Sequence, residues 1–496
     1  MDVYSNIQQL LHKAMLSGML GKEDELYARN KIMDLLALQD FYKSEVETVE
    51  KDISDLLDEL TEYAVKTKVI GHFIEERDIL SAKMMDIFLP KPSELNRLFF
   101  EKYEQNPKRA TDYFYQLSKD SHYIQSKRNE NNIQFSVETE YGKLALTINL
   151  SKPELDPMEI AWAREQKSLP STYPKCMLCI ENEGYSGRVD HPARSNHRLI
   201  RLQLTDEPWY FHYSPYSYYP EHCIVYSGEH REMRMGRETF QRLFEFVDQF
   251  PHYFIGSNAD LPIIGGSIFS HDHYQGGQFE FALEKAENEL VFEIPSLPSV
   301  NARTVKWPMS VIRLSGKDVI DLIDASSHIF EIWQGYSDST VNIEAYSCKI
   351  GHNSVTPIAR KRNDVYEMDL VLRNNRTTAE FPFGIFHPHE ELHHIKKENI
   401  GLIEVLGLAV LPPRLKQELL EVEKYLLREP NVIQDYHQPW ANEIKARFDN
   451  QMTQATVRTT LCTEVGQKFL KCLEDAGVFK RNEEGQQAFR RFLHLI

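Results

Sequence analysis

The spacing of apolar residues changes near residue 131 from a helical to an alternating pattern, and this change limits the folds that the chain can adopt. Before it, apolar residues such as those of 53–60 recur three or four positions apart, which is typical of amphipathic helices. After it, the segments 133–137 and 144–150 alternate apolar and polar residues, which predicts a β-hairpin. Strand-like and helix-like segments then mix as far as Pro412, beyond which the pattern is helical again. The sequence therefore predicts an α+β fold with helical N- and C-terminal extensions.

The same changes of pattern suggest how the chain is divided. We expect a helical N-terminal extension at 1–130, a first mixed half at 131–300, a second mixed half at 301–415 and a helical C-terminal region at 416–496. Each mixed half contains a His-x-His, formed by His271 and His273 in the first and by His387 and His389 in the second. This repetition hints at two halves of related architecture.

Composition excludes several classes of protein. The 496 residues are 42% hydrophobic and 26% charged, which is ordinary for a globular protein and excludes a disordered or fibrous chain. The formal charge of -17 argues against broad nucleic-acid binding, because an acidic surface repels a phosphate backbone. No apolar run approaches the ~18 residues of a membrane span, and the N-terminal segment lacks the pattern of a secretion signal. Six cysteines at low density fit a reducing compartment, so we expect a cytoplasmic protein.

The stretch with the clearest chemical content is NADLPIIGGSIFSHDHYQGG, which runs from Asn258 to Gly277. An extended chain puts every second side chain on the same face, so His271, His273 and Gln275 are expected to share a face. The paired glycines on both sides allow sharp turns or the close approach of a ligand to the backbone. Ordinary sheet histidines are the alternative. Two histidines, a glutamine and paired glycines together favour a site for phosphate oxygens.

A second candidate site is the Cys-x-x-Cys formed by Cys176 and Cys179. Such a pair supplies half of a tetrahedral zinc site, because thiolates are favoured ligands and a tight turn can aim both sulfurs at one ion. A redox role would place the pair at the start of a helix in a βαβ unit, a pattern not seen here, and two unrelated buried cysteines are the other alternative. The missing ligands are sought among the histidines His222, His230, His271 and His273.

Three motifs together resemble the galactose-1-phosphate uridylyltransferases of the histidine-triad superfamily. They are the Cys-x-Leu-Cys-x-x-Asn that begins at Cys176, the Ser-x-x-His that ends at His230, and the His-x-His-x-Gln that follows a Gly-Gly-Ser and ends at Gln275. The resemblance covers about residues 173–415, and the aspartate and tyrosine inside the third motif are similar to the second bacterial class of the family. It implies two histidine-triad-like antiparallel-sheet halves, a homodimer, and exchange of a uridylyl group between UDP-glucose and galactose 1-phosphate.

The resemblance also implies roles for individual residues, with His273 as the nucleophile that forms a uridylyl-histidine in a ping-pong mechanism. A neutral imidazole is abundant near pH 7, because its ordinary pKa is about 6.5. Gln275 would hold the phosphate oxygens through its amide. Since an amide has no titratable proton, glutamine at this position favours transfer between phosphates over hydrolysis, in which a histidine could protonate the leaving group.

A structural zinc ion is implied as well, bound by Cys176, Cys179, His230 and His271. His230 is preferred to His222 because the third ligand in the family ends a Ser-x-x-His pattern. Four protein ligands leave no open position for water, so the ion would shape the loop and would not activate a nucleophile. No organic cofactor is expected.

The remaining implied contacts bind the substrate. Phosphate contacts are expected from Asn258, Ser267, Arg188 and Arg194, and hexose contacts from His389 and Glu404. The two arginines could equally be surface residues, and the histidine-rich segment around His389 could equally be a solvated loop. Members of the family sometimes bind a second metal ion in this segment.

Two other functions stay open on the sequence alone. Another nucleotidyl-transferring or phosphorolytic enzyme of the superfamily would carry the same histidine motif and act on a different nucleotide. A non-enzymatic zinc-binding protein would use the cysteines and histidines as ligands only. For the preferred function the partners are UDP-glucose, UDP-galactose and hexose 1-phosphates, with no nucleic acid and no membrane.

Overall fold

The structure is a computed structural model that describes residues 2–42, 51–151, 173–188, 190–266, 268–448 and 452–496. Its α-helices are α1 (Val3–Leu16), α2 (Glu25–Leu35), α3 (Ile53–Lys66), α4 (Ile74–Asp86), α5 (Pro92–Gln105), α6 (Pro107–Asp120), α7 (Ser126–Glu130), α8 (Arg237–Gln249), α9 (Ala282–Lys285), α10 (Val319–Gly335), α11 (Leu402–Val405), α12 (Leu415–Leu426), α13 (Gln438–Phe448), α14 (Val457–Ala476) and α15 (Glu483–Leu493). Its strands are β1 (Ile133–Thr139), β2 (Gly142–Ile148), β3 (Ile200–Leu204), β4 (Glu207–Tyr213), β5 (Cys223–Ser227), β6 (Phe254–Gly256), β7 (His273–Gly277), β8 (Asn288–Phe292), β9 (Asn301–Val305), β10 (Val311–Gly316), β11 (Tyr346–Ser347), β12 (Ile350–Gly351), β13 (Asn353–Arg362), β14 (Val365–Asn374) and β15 (Leu408–Leu411). Short 3₁₀ helices lie at Lys22–Asp24, Ile180–Asn182, Ser339–Val341, Glu390–Leu392 and Asp435–His437.

These elements form two compact units, and neither unit is continuous in the sequence. The first unit combines Met1–Glu130, Ser151–Ser217 and Cys223–His230, and the second combines Asn131–Leu150, Tyr218–His222 and Arg231–Ile496. The short segment 218–222 thus belongs to a different unit from the residues that flank it. The four segments predicted from the sequence are a different division of the chain, and they stay a prediction.

Helices α1 to α7 and the antiparallel strands β3, β4 and β5 build the first unit, with β4 as the middle strand. Each long helix buries an apolar stripe, as in α3, where all the leucines are buried. Helix α6 begins where the sequence signals it: Pro107 is its first residue, and the side chain of Asn106 accepts a hydrogen bond from the backbone N–H of Lys108 at 2.8 Å. The predicted helical N-terminal extension is confirmed.

The main sheet of the second unit has the strand order β7-β6-β13-β14-β10-β9-β8, and each of these neighbouring pairs is antiparallel. Helix α8 packs on β6 and β13, and helix α10 packs on β10, β13 and β14. Most residues of β13 and β14 are buried, whichever way they point. Strand β6, which pairs with β7, is therefore held against the buried strand β13.

A smaller sheet of the second unit joins distant parts of the chain. Strands β1 and β2 form the predicted hairpin, with Ile133 opposite Ile148, and Gly142 in its turn adopts a φ of 104°, which favours glycine. Strand β15 pairs with β2 in parallel, and Leu408 lies opposite Ala145. The apolar faces of α12, α13 and α14 belong to the same buried cluster as this sheet, which confirms the helical C-terminal region.

The α+β fold class is confirmed by these observations. Helices and antiparallel strands occur in both units. Among the described strands, β15 and β2 form a parallel pair. In the ranges that the structure describes, no helix combines the length and the apolar character that a membrane span would require.

Candidate active site

The motif 258–277 follows strand β6 of the second unit and ends with strand β7. Strand β6 ends at Gly256, a loop carries Asn258 and the first glycine pair, and β7 begins at His273. The two strands are antiparallel, with Gly256 opposite Gln275. The motif therefore consists of the loop after β6 and of β7, which carries His-x-Gln on the main sheet.

The side chains around β7 alternate between two faces, as the sequence predicts. Asp272 and Tyr274 both lie beside Arg242 of α8, and the Asp272 carboxylate is 4.0 Å from an Arg242 nitrogen and 3.5 Å from Arg231 Nε. Burial and the Asp272 charge raise the pKa of the Tyr274 phenol, which therefore stays neutral. The opposite face is left to His273 and Gln275.

The backbone fixes the tautomer of His273. Its Nδ1 lies 2.8 Å from the carbonyl oxygen of His271, and since a carbonyl can only accept, Nδ1 carries the proton. Nε2 is then the unprotonated nitrogen, and no described residue is hydrogen-bonded to it. His273 is 6% exposed, and burial lowers its pKa to about 4, so the ring is neutral at pH 7. A neutral imidazole with an available lone pair can act as a nucleophile.

Gln275 is held by His222. The Nε2 atom of His222 lies 3.0 Å from the Oε1 atom of Gln275, and both residues belong to the second unit. Because Oε1 accepts this hydrogen bond, the amide nitrogen of Gln275 keeps two N–H donors for another acceptor. His222, considered above as a possible zinc ligand, thus contacts the glutamine of the His-x-His-x-Gln motif.

The loop before β7 brings an amide close to its own glycines. Asn258 Oδ1 accepts a hydrogen bond from the backbone N–H of Leu402 at 2.8 Å. A Cβ atom at Gly266 would lie 2.7 Å from Asn258 Nδ2, and a Cβ atom at Gly265 would lie 2.3 Å from a backbone oxygen. The glycine pair is therefore required for this close approach. Ser267, the other predicted phosphate contact of the loop, lies outside the described residues.

The aspartate of the Asn-Ala-Asp sequence has a structural role. Asp260 Oδ2 accepts a hydrogen bond from the backbone N–H of Met235 at 2.8 Å, and its Oδ1 accepts one from Ser354 Oγ at 2.6 Å. These contacts tie the loop to β13 and to the segment before α8. Asp260 therefore fixes the place of Asn258 two residues earlier.

Three of the four predicted metal ligands come together in the first unit. The sulfurs of Cys176 and Cys179 are 3.6 Å apart, and Cys179 Sγ lies 3.2 Å from His230 Nδ1. Two sulfurs bound to one tetrahedral zinc ion at ~2.3 Å lie about 3.8 Å from each other, so the observed spacing suits such an ion. Two thiols and an imidazole also match its ligand preference. His271, the fourth predicted ligand, is fully buried and belongs to the second unit.

The asparagine of the cysteine motif ties its turn together. Asn182 Nδ2 donates to the carbonyl oxygens of Cys176 and Cys179, at 2.9 and 2.8 Å. Its Oδ1 accepts from His191 Nε2 at 2.6 Å. Burial raises the pKa of the Cys179 thiol to about 11, so a metal ion that bound this sulfur would displace a proton from it.

The two predicted phosphate-binding arginines differ in their surroundings. Arg188 is engaged within its own loop, where it donates to the carbonyl oxygen of Tyr173 at 3.0 Å and to Asp190 at 2.5 Å. Arg194 lines a cavity of about 420 Å³ in the first unit, over the ring of Tyr123. Its Nε is buried without a hydrogen-bond partner among the described residues. Arg194 therefore has a donor left for a ligand.

His389 faces a carboxylate from a distant part of the second unit. Its Nε2 lies 3.1 Å from the carbonyl oxygen of Ile385 and so carries the proton, while Nδ1 lies 3.5 Å from Asp475 Oδ2. The possible ligand atoms of His389, Glu391 and Asp475 all lie within 4.8 Å of one another. This group could hold a metal ion, and Asp475 is the member that no sequence motif indicated.

Glu404, the predicted hexose contact, is buried and bonded internally. It accepts hydrogen bonds from Lys396 Nζ at 3.0 Å and from the backbone N–H of Gly401 at 3.2 Å. The second bond caps α11, and the first residue of this helix, Leu402, donates its backbone N–H to Asn258 Oδ1. Glu404 thus helps to set the position of the loop that holds Asn258.

His222 and Asp475 are the candidates that reasoning from the sequence missed or assigned otherwise. His222 is 53 residues from Gln275, and Asp475 is 86 residues from His389. No spacing pattern reports contacts over such separations. The position of His222 directly before the strand-like CIVYS was the available signal, and it identifies an element but not a partner.

Comparisons with known proteins identify one family. The sequence model "Galactose-1-phosphate uridyl transferase, N-terminal domain" matches residues 18–232, and the C-terminal domain model of the same family matches residues 245–442. The crystal structure of yeast Ap4A phosphorylase Apa2 aligns with a TM-score of 0.33 and 14% identity over 61% of this chain and 89% of that chain, too weak a similarity to identify a shared fold.

Curated relatives match the chain along nearly its whole length. The galactose-1-phosphate uridylyltransferase of Clostridium perfringens (strain 13 / Type A) is 48% identical over 492 residues, which are 99% of this chain and 98% of that protein. That of Ligilactobacillus salivarius is 49% identical over 95% of this chain and 94% of its own length, and that of Enterococcus faecalis is 49% identical over 97% and 96%. The chain belongs to the galactose-1-phosphate uridylyltransferase family.

Proposed function

We propose that the chain exchanges a uridylyl group between UDP-glucose and galactose 1-phosphate, giving glucose 1-phosphate and UDP-galactose. Family membership supports this nucleotidyltransferase activity. The observation that carries the proposal is the state of His273, a neutral ring with its proton on Nδ1 and its Nε2 lone pair available, two residues before an amide with available N–H donors.

In the first half-reaction Nε2 of His273 attacks the α-phosphorus of UDP-glucose. The bond from that phosphorus to the bridging oxygen breaks, and glucose 1-phosphate leaves with the electron pair. The ring, now bonded to phosphorus at Nε2 and still protonated at Nδ1, is positively charged. The carbonyl oxygen of His271, 2.8 Å from Nδ1, stabilises this charge.

In the second half-reaction a phosphate oxygen of galactose 1-phosphate attacks the same phosphorus. The bond to Nε2 breaks, and His273 returns to its neutral form with its proton still on Nδ1. No proton has to move in either half-reaction, because both leaving and entering groups are phosphates. This is the chemistry that glutamine supports at position 275, since its amide N–H groups stabilise the phosphoryl oxygens without donating a proton.

The test is to incubate the protein with UDP-glucose and to measure the intact mass. We expect the increment of one uridylyl group, located on His273 by peptide mapping, and none in His273→Asn. His252→Asn, a half-buried histidine before β6, is the matched control and is expected to react as the wild type does. An adduct from an adenine nucleotide instead would favour another enzyme of the superfamily. No adduct, with zinc binding intact, would favour a zinc-binding protein.

We infer further that Cys176, Cys179, His230 and His271 hold a structural zinc ion. The spacing of the first three and the donor chemistry support this set, and His271 is retained from the sequence resemblance. When bound, zinc would fix the cysteine turn and supply no nucleophile. Cys176→Ser is expected to lose about one zinc ion per chain in metal analysis, whereas the control Cys462→Ser keeps it. Equal zinc contents in the two variants would contradict the set.

Substrate contacts are proposed for the remaining predicted residues. Asn258 has an Nδ2 without an acceptor among the described residues, and Arg194 has an unpartnered Nε, which supports phosphate binding by both. Ser267, Arg188, His389 and Glu404 are kept as proposals from the resemblance. Exchange assays that offer galactose 1-phosphate and other hexose 1-phosphates together will define the sugar preference.

We also propose that the protein is a cytoplasmic homodimer. The low density of cysteines in the sequence supports a reducing compartment, where Cys176 and Cys179 would stay available for a metal ion. Light scattering during size-exclusion chromatography will give the oligomeric state, and a mass of one chain would reject the dimer.

A further inference from the structure

The segment 218–222 packs beside β7 within the second unit. The hydroxyl of Tyr219 donates to a carbonyl oxygen of β7 at 3.1 Å. At Gly277, whose φ is 151°, a Cβ atom would lie 2.6 Å from the carbonyl oxygen of Glu221 and 2.9 Å from the Tyr219 ring. The hydrogen bond therefore holds this segment close to the strand, and the lack of a side chain at Gly277 leaves room for it. His222 is the last residue of the segment.

The ring of His222 is buried, and its single proton has a defined place. It is 2% exposed and packs against Tyr218 and Tyr219, with ring centroids 5.5 and 4.6 Å away. Burial lowers its pKa to about 4, so it is neutral at pH 7. Its Nε2 carries the proton, because Gln275 Oε1 at 3.0 Å accepts it, and its Nδ1 has no hydrogen-bond partner in the described part of the chain.

This contact decides which end of the Gln275 amide faces away from His222. Oxygen and nitrogen of an amide have nearly the same shape, so packing alone distinguishes them poorly. A proton on His222 Nε2 favours oxygen beside it and leaves the N–H donors for the other side. With the amide turned over, its oxygen would instead face a bound phosphate, and two acceptors repel each other.

We propose that His222 is a positioning residue for uridylyl transfer, which holds the Oε1 atom of Gln275 so that the amide N–H groups face the phosphate. The inference rests on the function proposed above. His222 acts through Gln275 and takes no part in bond making or breaking. Nothing else about the reaction is changed by this role.

A double-mutant cycle tests it. His222→Phe fills the same space beside the two tyrosines without a donor, and His222→Gln puts an amide N–H near the place of Nε2. The rate of uridylyl-enzyme formation from UDP-glucose is measured in a single turnover for both variants, for Gln275→Ala, and for His222→Phe combined with Gln275→Ala. We expect about a 10-fold loss in His222→Phe, about a 100-fold loss in Gln275→Ala, and at least partial recovery in His222→Gln.

The combined variant gives the decisive result. If His222 acts through Gln275, His222→Phe lowers the rate less than twofold further once Gln275 is alanine. Losses that multiply in the combined variant would overturn the proposal, as would a His222→Gln variant no faster than His222→Phe.

Should His222→Phe fail to fold, a His222→Gln rate equal to that of Gln275→Ala would overturn it, and a rate close to that of the wild type would support it. A wild-type protein that forms no uridylyl-enzyme would instead reject the proposed function.

Tyr219→Phe separates orientation of the amide from packing of the strand. It removes the hydrogen bond to β7 and leaves the contact between His222 and Gln275 in place. We expect its rate to stay within about twofold of the wild type. The contrary outcome has two parts: Tyr219→Phe lowers the rate as much as His222→Phe does, and it lowers the rate no further when Gln275 is alanine. Both together would show that the position of the strand, and not the contact between His222 and Gln275, is responsible.

Discussion

At the scale of single residues, the candidate site depends on where two ring protons lie. The proton of His273 lies on Nδ1, because the carbonyl oxygen of His271 accepts it, and this leaves the lone pair on Nε2, the atom proposed to attack phosphorus. The proton of His222 lies on Nε2, because Gln275 Oε1 accepts it, and this makes the ring a donor. Opposite tautomers thus suit the two buried histidines to the different roles proposed for them, His273 as a nucleophile and His222 as a hydrogen-bond donor.

The neutrality of His273 predicts an unusual pH profile. Burial lowers its pKa to about 4, and a lowered pKa keeps Nε2 unprotonated at lower pH. As far as this ring is concerned, the single-turnover rate with UDP-glucose is therefore expected to be constant from about pH 8 to about pH 5, and to fall below that as the ring gains a proton. A rate that already halves near pH 6.5 would mean an ordinary, solvated imidazole and would contradict the burial.

At the scale of elements, the loop between β6 and β7 can hold Asn258 in its observed position because its glycines leave room for the side chain. A Cβ atom at Gly266 would lie 2.7 Å from Asn258 Nδ2, so Gly266→Ala must displace the amide or the loop. We expect at least a 10-fold loss of uridylylation rate with little change in the unfolding midpoint. Gly236→Ala is the matched control, because a Cβ atom there meets nothing within 4 Å, and its rate should be unchanged. Equal rates in the two variants would show that Asn258 can move without consequence.

The same elements show what a sequence can predict. The alternation of β7 and the hairpin of β1 and β2 were predicted correctly, because both patterns are local and need only a few neighbouring residues. The parallel pairing of β15 with β2 and the contact of His222 with Gln275 were not predicted, since both depend on how distant segments pack. The Ser-x-x-His pattern selected His230 over His222. His230 Nδ1 lies 3.2 Å from Cys179 Sγ, and its role as a metal ligand stays a prediction.

At the scale of the whole molecule, a buried ion network joins three neighbouring strands of the sheet that carries β7. Asp369 on β14 is fully buried and accepts hydrogen bonds from Arg313 on β10, at 2.6 and 2.9 Å, and from Arg360 on β13 at 2.5 Å. Burial alone would raise the pKa of Asp369, but Arg360 and Arg313 outweigh it and hold the pKa at about 2. The stabilisation by this carboxylate is thus complete above its ordinary pKa of about 4 and is lost as the pH falls towards 2.

Removing the charge of Asp369 should therefore destabilise the second unit strongly. Asp369→Asn removes the carboxylate that pairs with Arg313 and leaves Arg360 paired with Glu367 alone, while both guanidinium groups stay buried at 4% exposed. We expect a loss of about 3–5 kcal/mol in the free energy of unfolding. Asp248→Asn is the control, since Asp248 is 62% exposed in its 2.9 Å pair with Lys361, and removing such a pair costs at most about 1 kcal/mol. Urea unfolding followed by circular dichroism compares the two. Similar losses in the two variants would mean that the arginines find other partners. A large loss in Asp369→Asn alone would show that the network stabilises the unit. If folded Asp369→Asn protein still forms the uridylyl adduct, the network has no part in the chemistry proposed for β7.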